Sequence, residues 1–413
     1  MNRFMNTTFK HTLRTAGIGV LLATTFACSL QSDLQLEITN SNTFGVQNAA
    51  VSVNLESSKI VLPTAFSIVD SKGAEIPYQL DDLDQNGTKE TLFLQMTLGA
   101  NLSETLSIKK ADKAPDFTTK TAAVIKVRDK ADPESMQIGS DFEFVDSYTQ
   151  PFDFKQDNGL IFLEGPGWES DLVGYRFYFD NRNRFDIFGK KTDKPSLGSI
   201  TETYHERRDW GADILKVNSS LGIGSPALFQ DNAFFAIEKT GLSTLETVSD
   251  GPLRSIIKVT YPNWTVGDKT MNAVMKLEIH AHHRYTELSL KTDAADDVFA
   301  TGLVTHKNVE KISISETPDY TFGYTWGNQT DLEEGLGMAV ILPGNYSPEY
   351  KGEFQESYVF SLNSQNSEVK YRFLAAWELE PEAVRIPTVE KFEEYIDQVA
   401  KQWQHPLKVT IKK

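Results

Sequence analysis

The sequence predicts a mainly β protein: a small N-terminal β-sandwich over residues 33–113, a large antiparallel β-sandwich over 120–413, and a C-terminal amphipathic helix. Three observations carry this. Short segments alternate apolar and polar residues, as half-buried strands do. Turn-forming residues separate them at the spacing of antiparallel sandwiches. Only one segment, Phe392, Tyr395, Ile396, Val399 and Trp403, repeats at helical spacing.

The chain has 413 residues, 40% of them hydrophobic, enough for one large core or two smaller ones. Lys10, His11 and Arg14 precede the apolar run from Ala16 to Ala23, which reads as a secretory signal over residues 1–27. The single cysteine, Cys28, follows Ala27 and matches a lipoprotein attachment site. Ordinary cleavage after Ala27, leaving a free terminal thiol, is the competing account. The expected location is the periplasm or cell surface, with a lipid anchor to the outer membrane through Cys28. No intrachain disulfide can form, and the apolar run is shorter than the ~20 residues of a membrane span.

Leu34–Ile38, Val51–Leu55, Leu92–Met96 and Leu106–Ile108 are predicted strands of the small sandwich, and Ala111 to Asp116 reads as a linker. Tyr175–Phe179, Ser255–Thr260, Ala273–Ile279, Thr286–Leu290, Met338–Leu342 and Tyr371–Ala375 follow as strands of the large one. Pro387 and a capping Thr388 then open the helix, predicted from Val389 to about Trp403.

A formal charge of -16 argues against a nucleic-acid groove or broad attraction to anionic lipid. An anionic substrate would need a local cationic cleft, which screening over ~8 Å permits. Asp82-Leu-Asp-Gln-Asn-Gly87 matches the start of a calcium loop, but the twelfth position is Phe93 where a bidentate Glu is required, so it reads as a turn. His280, His282 and His283 sit between two alternating strands and read as a hairpin connection with at least two imidazoles facing solvent. No metal and no cofactor are therefore expected. There is no Gly-x-Ser-x-Gly elbow, Gly222-Ile-Gly-Ser-Pro226 lacks the lysine of a phosphate loop, and no carboxylate pair stands out for glycoside hydrolysis.

The chemistry concentrates between Gly165 and Pro226, where Trp168, Arg176, Arg182, Lys190, His205, Trp210 and Lys216 lie among carboxylates and glycines. Aromatic faces, cations and an imidazole are what a sugar-binding, proton-moving cleft needs. His205 titrates near neutral pH and Tyr204 can take the complementary proton role. The competing account pairs Arg182 and Arg184 with Asp180 and Asp186 on the surface and leaves His205 structural.

The run from Gly165 to Lys190, then Tyr204-His205 and Asp209 to Gly222, resembles the signature of a family of exported bacterial proteins catalogued as a domain of unknown function. The resemblance continues more weakly through the Asp82 loop and Thr301 to His306. It implies the chemistry of a member acting as an oligosaccharide dehydratase on ulvan, a sulfated rhamnose and uronic acid polysaccharide. That reaction removes the C5 proton of a terminal glucuronate or iduronate and expels the C4 hydroxyl, leaving a 4,5-unsaturated sugar. The large sandwich is likewise expected to resemble galactose mutarotase and the sandwich domains of polysaccharide lyases. From residue chemistry, Arg176 and Lys190 would bind the carboxylate, helped by Arg182 and Lys216. His205 with Tyr204 or Tyr175 would move the protons, with His306 in reserve. Trp168 and Trp210 would stack on sugar rings, while Glu169, Asp186 and Asp213 would orient the cations. The partner is then an anionic algal oligosaccharide, without nucleic acid, and with a membrane only through the anchor. A uronate polysaccharide lyase cleaving by β-elimination and a non-catalytic glycan-binding lipoprotein remain the alternatives.

Overall fold

Alternating burial organises the N-terminal segment in the computed structural model, which describes residues 34–130, 138–139, 141–151, 159–294, 297–309 and 312–412. The signal segment and Cys28 lie outside the described residues. Leu36 and Ile38 point inward from Leu34–Thr39, as do Val51 and Val53 from Val46–Asn54 and Leu106 and Ile108 from Ser103–Lys110. These strands form a sheet of four facing a sheet of three around one apolar core. The fourth strand of the first sheet is Lys408–Lys412, which pairs antiparallel with Leu34–Thr39. The last residues therefore belong to the small sandwich and not, as their place in the sequence predicts, to the large one. That strand is short and only half-buried, so its alternation carries little hydrophobic signal.

The large unit is built on a nine-stranded antiparallel sheet whose centre is Lys269–His280, Tyr285–Thr292 and Glu368–Trp377. Two five-stranded sheets pack against it. One contains Gly167–Glu169, Val173–Phe177, Phe185–Lys190 and Gly211–Asp213, and the other contains Ala227–Gln230, Val298–Val304 and Ser357–Asn363. The segment Gly222-Ile-Gly224, expected as a tight turn, instead joins them: Phe185 bridges to Gly222 and Ile223 bridges to Leu303. Gly222 has φ +56°, and a Cβ there would lie 2.0 Å from the Phe185 carbonyl oxygen. Glycine is required both for the left-handed backbone and for the approach.

The helix spans Val389–Gln404, with the Thr388 side chain accepting from the Lys391 amide. Phe392, Ile396, Val399 and Ala400 bury one stripe on the outer face of the nine-stranded sheet, against Tyr320, Phe322, Tyr324 and Leu374. Burial of each large side chain contributes roughly 1.5–3 kcal/mol. No helix among the described residues is long and apolar enough to cross a membrane.

A buried polar network joins the two sandwiches. Gln79 donates to Ser249 (2.9 Å) and the Arg254 carbonyl (2.9 Å) and accepts from the Leu253 and Arg254 amides (3.0 Å each). Asp81 pairs with the Arg254 guanidinium, which also meets Glu278 at 3.3 Å. Replacing Asp81 by Ala leaves a buried guanidinium short of its main counter-charge and is expected to cost about 3 kcal/mol. Chemical denaturation checks this, and loss below 0.5 kcal/mol would show that the network is not a structural clamp.

Candidate functional site

Arg176 lies directly opposite Asp186 in the pairing of Val173–Phe177 with Phe185–Lys190, so the two share a face. Gly211–Asp213 pairs on the far side of Phe185–Lys190 and brings Asp213 to the same face, opposite Phe188. The Asp213 amide donates to the Tyr204 carbonyl at 2.7 Å, which docks the loop carrying Tyr204 and His205. Leu163 and Glu164 are both left-handed, with φ +54° and +61°, and this reversal turns the Leu163 carbonyl and the Glu164 carboxylate toward Arg176.

The Arg176 guanidinium is 1% exposed and fully engaged. Nε donates to Asp186 (3.1 Å), Nη1 to the Leu163 carbonyl and the Tyr204 hydroxyl (3.1 Å each), and Nη2 to Tyr178 (3.0 Å), Asp186 (2.9 Å) and Asp213 (2.8 Å). Its five N–H groups are all engaged, leaving no free donor for a ligand. The Tyr178 hydroxyl donates to Asp186 at 2.8 Å. Glu164 sits 3.7 Å from Arg176, accepts from the Tyr204 hydroxyl at 3.4 Å, and holds Arg182 at 2.6 Å. Arg182 also pairs with Asp180 and lies 3.7 Å above the Tyr178 ring.

One cation between two buried carboxylates cannot neutralise both. Burial raises Asp186, and burial followed by the Asp186 charge lifts Asp213 well above the carboxylate range. His205 faces the open side, its side chain 60% exposed and its Nδ1 3.5 Å from Asp213. Burial of the rest of the ring, then the Arg176 charge, hold His205 below its ordinary value of 6.5. These shifts favour the protonated form of Asp213 and the neutral form of His205. Burial raises both the Tyr178 and the Tyr204 phenols, which stay protonated.

A second imidazole feels the same Asp331 charge as His205. His306 follows the strand Val298–Val304, and its Nε2 is buried without a hydrogen-bond partner among the described residues. Burial lowers His306, Asp331 opposes that shift, and Lys216 reinforces it. Asp331 acts on His205 and Asp213 as well, and its amide donates to the Ile214 carbonyl at 3.2 Å. Lys216 is exposed and forms no ion pair with a described residue.

Several expected site residues are elsewhere. Trp168 is fully buried, donating from Nε1 to Thr286 (2.8 Å) and packing on Tyr175 and Phe185, so it offers no face to a sugar. Tyr175 is also fully buried, with its hydroxyl donating to the Arg284 carbonyl (2.6 Å) and accepting from the Ala375 amide (3.0 Å). Lys190 is 0% exposed and bound to Glu169 and the Ser170 carbonyl at 2.5 and 2.7 Å, remote from the Arg176 network. Glu169 does orient a cation, but one inside the core. Arg176 is corrected from carboxylate ligand to scaffold. Tyr204 is 2% exposed, with its hydroxyl turned inward, and is a positioning residue. Trp210 is half-buried against Phe188 at 5.9 Å.

Tyr178, Glu164 and Asp331 were missed. The signal for Tyr178 was present: residues 176 and 178 share strand parity, whereas 175 and 176 point to opposite faces. The three-histidine connection is a hairpin, but only His282 is substantially exposed. His280 is buried between Glu278 (2.6 Å) and Tyr285 (2.9 Å), and burial pushes His283 down to about 3, its Nε2 meeting the Asn48 carbonyl. In the Asp82 turn, oxygens of Asp82, Asp84 and Glu90 lie within 4.8 Å of one another and accept backbone amides from residues 83, 86 and 87. A cavity of about 570 Å³ at the seam of the sandwiches, lined in part by Tyr78, Asp82, Lys89 and Asp250, contains no imidazole.

A family model described as a domain of unknown function (DUF4861) matches residues 38–409. An uncharacterized protein, P7, from Formosa agariphila is 23% identical over 425 residues, covering 95% of this chain and 98% of that one. Among solved structures, a glycosyl hydrolase family 38 protein from Enterococcus faecalis aligns with TM-score 0.47 at 8% identity, over 93% of this chain and 48% of that one. An alpha-mannosidase from Enterococcus faecalis V583 aligns with TM-score 0.48 at 9% identity, over 93% and 46%. The chain thus spans about half the length of these solved structures.

The two lysines separate structure from site. Lys190→Met strands the buried Glu169 carboxylate and is expected to destabilise the fold by ~3–5 kcal/mol. Lys216→Ala, on the surface, should change stability by less than about 0.5 kcal/mol. Thermal and urea unfolding of both variants decide the point; equal losses would refute the assignment.

Proposed function

We propose that this chain, which belongs to the family catalogued as domain of unknown function DUF4861, is an oligosaccharide dehydratase that eliminates water from a non-reducing-end uronic acid. The observation that carries the reading is the open His205 imidazole, 3.5 Å from Asp213, which sits on an Arg176 nitrogen that also holds the Tyr178 phenol. Ulvan as the polymer, with uronate linked to sulfated rhamnose, follows from the family resemblance. Export and anchoring through Cys28 belong to the same reading, because a surface enzyme meets oligosaccharides where the polymer is degraded.

In this mechanism His205, neutral at pH 7, takes the C5 proton on Nε2 while Nδ1 faces Asp213. The C5–H electron pair becomes the C4–C5 double bond and the C4–O bond breaks. The Tyr178 phenol turns its O–H from Asp186 to the substrate and gives its proton to the departing hydroxyl, which leaves as water. Imidazolium and phenolate remain, and proton exchange with solvent restores both. Negative charge grows on the substrate carboxylate as C5 loses its proton, and Lys216, which forms no ion pair with a described residue, stabilises it. Arg176 stays cationic although burial opposes it, because Tyr178, Tyr204, Asp213 and Asp186 surround it. It keeps Tyr178, Tyr204 and Asp213 in register throughout.

Incubation with saturated uronate-ended oligosaccharides should produce absorbance of the unsaturated sugar and a mass loss of one water without chain shortening. A shortened chain would instead identify a lyase, and binding without turnover a glycan-binding protein. His205→Ala and Tyr178→Phe should each lower kcat by about 100-fold or more while the fold is retained. The acid limb of kcat/KM should have its midpoint below 6.5, since only deprotonated His205 accepts the proton and its affinity is lowered. A midpoint above 6.5, or full activity in His205→Ala, removes this imidazole from the reaction.

A further inference from the structure

Lys276, Ser289 and Lys370 lie in one row across three neighbouring strands of the nine-stranded sheet, with Ser289 opposite Lys276 on one side and Lys370 on the other. Lys258 continues the row, directly opposite Lys276. Lys291 stands two residues beyond Ser289 on the same strand and therefore on the same face. Met275, Leu277, Leu288 and Leu290 point the other way, into the core shared with Tyr175 and Phe177. The row thus lies on the outer face of the sheet, on the far side of the molecule from Arg176. Neighbouring strands are about 4.8 Å apart, so like charges set directly opposite one another destabilise a sheet unless an opposite charge compensates them.

Around Ser289 the surface forms a cavity of about 420 Å³, lined also by Glu278, Glu287 and Glu368. Each of these carboxylates has its own cation. Glu278 meets His280 (2.6 Å) and Arg254 (3.3 Å), Glu287 binds Arg372 (2.7 Å), and Glu368 meets Lys370 (3.4 Å). Lys258 is likewise held by Glu246 at 2.9 Å. By contrast, the ammonium groups of Lys276 and Lys291 form no ion pair or hydrogen bond with a described residue, and the Ser289 hydroxyl forms no hydrogen bond with one. Two uncompensated positive charges therefore flank a half-buried hydroxyl, in a chain whose formal charge is -16. A cavity of about 230 Å³ adjoins this one, and Glu278 and Glu287 line both. There Arg372 lies over the Tyr285 and Trp403 rings, 4.0 and 4.4 Å from their centroids. Its Nε and Nη2 donate to Glu287, whereas Nη1 makes no hydrogen bond with a described residue.

We infer that this outer groove is a second glycan-binding site, separate from the acid–base centre, in which Lys276, Lys291 and Ser289 take a sulfate ester of a polyanionic polysaccharide. Ammonium groups are compact charges with rotatable donors and, together with a hydroxyl, suit a tetrahedral anion, whereas a planar carboxylate is met best by the fork of an arginine. The adjoining cavity, with its aromatic rings and the open Arg372 nitrogen, gives the next sugar ring a surface. The groove is concave, with the hydroxyl deeper than the two exposed lysines, so a chain of sugar rings reaches it and a flat bilayer surface does not. The demand for an anion rests on the sheet itself; that the anion is carried by a glycan rests on the dehydratase reading.

The test compares the wild-type full-length protein with the double variant Lys276→Gln/Lys291→Gln. A control, Lys109→Gln/Lys110→Gln, makes the same change of net charge at two exposed positions of the small sandwich. Affinity electrophoresis is run through gels holding a sulfated polysaccharide of uronic acid and rhamnose, and through gels holding its chemically desulfated form. The sulfated gel should retard the wild type and the control alike, and Lys276→Gln/Lys291→Gln should bind about tenfold more weakly or worse. The desulfated gel should retard none of the three to that extent. No retardation of the wild type, an equal loss in both double variants, no loss in either, or equal retardation by the desulfated polymer overturns the site. So does binding to phosphatidylglycerol vesicles that Lys276→Gln/Lys291→Gln alone abolishes while its affinity for the glycan is unaltered, which would identify a membrane surface. Dehydration of a short uronate-ended disaccharide should be equal in all three proteins, and a fall confined to Lys276→Gln/Lys291→Gln overturns the separation of the two sites. If none of the three dehydrates the disaccharide, the reaction reading has failed, and the pattern of retardation alone decides the groove.

Discussion

A guanidinium sealed between two carboxylates sets the terms for the rest of this site. Arg176 is the common partner of Asp186, Asp213, Tyr178 and Tyr204, and those four come from two strands, a strand end and a loop. A buried charge tolerates little displacement of its partners, because each lost contact leaves an uncompensated ion in a low-dielectric interior. The loop bearing His205 therefore inherits its position from the core. The charge imbalance has a second effect, since burial and a second acid facing the same cation lift Asp213 toward its protonated form beside the imidazole.

The sheet architecture explains why this arrangement faces outward while similar residues nearby do not. On the strand Val173–Phe177 and just beyond, Tyr175 and Phe177 face the core shared with the nine-stranded sheet, whereas Arg176 and Tyr178 face the other way. Lys190 shares the Arg176 side of the sheet but lies beyond Phe188, where Glu169 neutralises it in full burial. The Gly222–Gly224 segment then ties the Arg176 sheet to the sheet ending at Val304, and so carries His306 to the neighbourhood of Lys216.

Much of the fold was legible because periodicity is a direct image of burial. The alternation of Lys269–His280 and Tyr285–Thr292 and the stripe from Phe392 to Val399 are visible in the bare sequence. Phe185–Lys190 was not, because all six residues are buried and alternation disappears when both faces of a strand are covered. At the site, Arg176, His205, Asp186 and Asp213 were named together and are together. Trp168 and Tyr175 were drawn in by residue type, although strand parity separates Tyr175 from Arg176.

By itself the sequence determined the class of fold, the stretch of chain that carries the polar chemistry, and the strand parity of each residue within it. These are local properties, written in composition and in spacings of two or about four residues. Only the tertiary structure decided which cations are neutralised inside the protein and which imidazoles reach the surface. Neutralisation depends on partners distant in sequence, as Lys190 depends on Glu169 and Asp81 on Arg254, and exposure depends on what packs above. The proton affinities of His205 and Asp213 follow from both and exist only once the chain has folded.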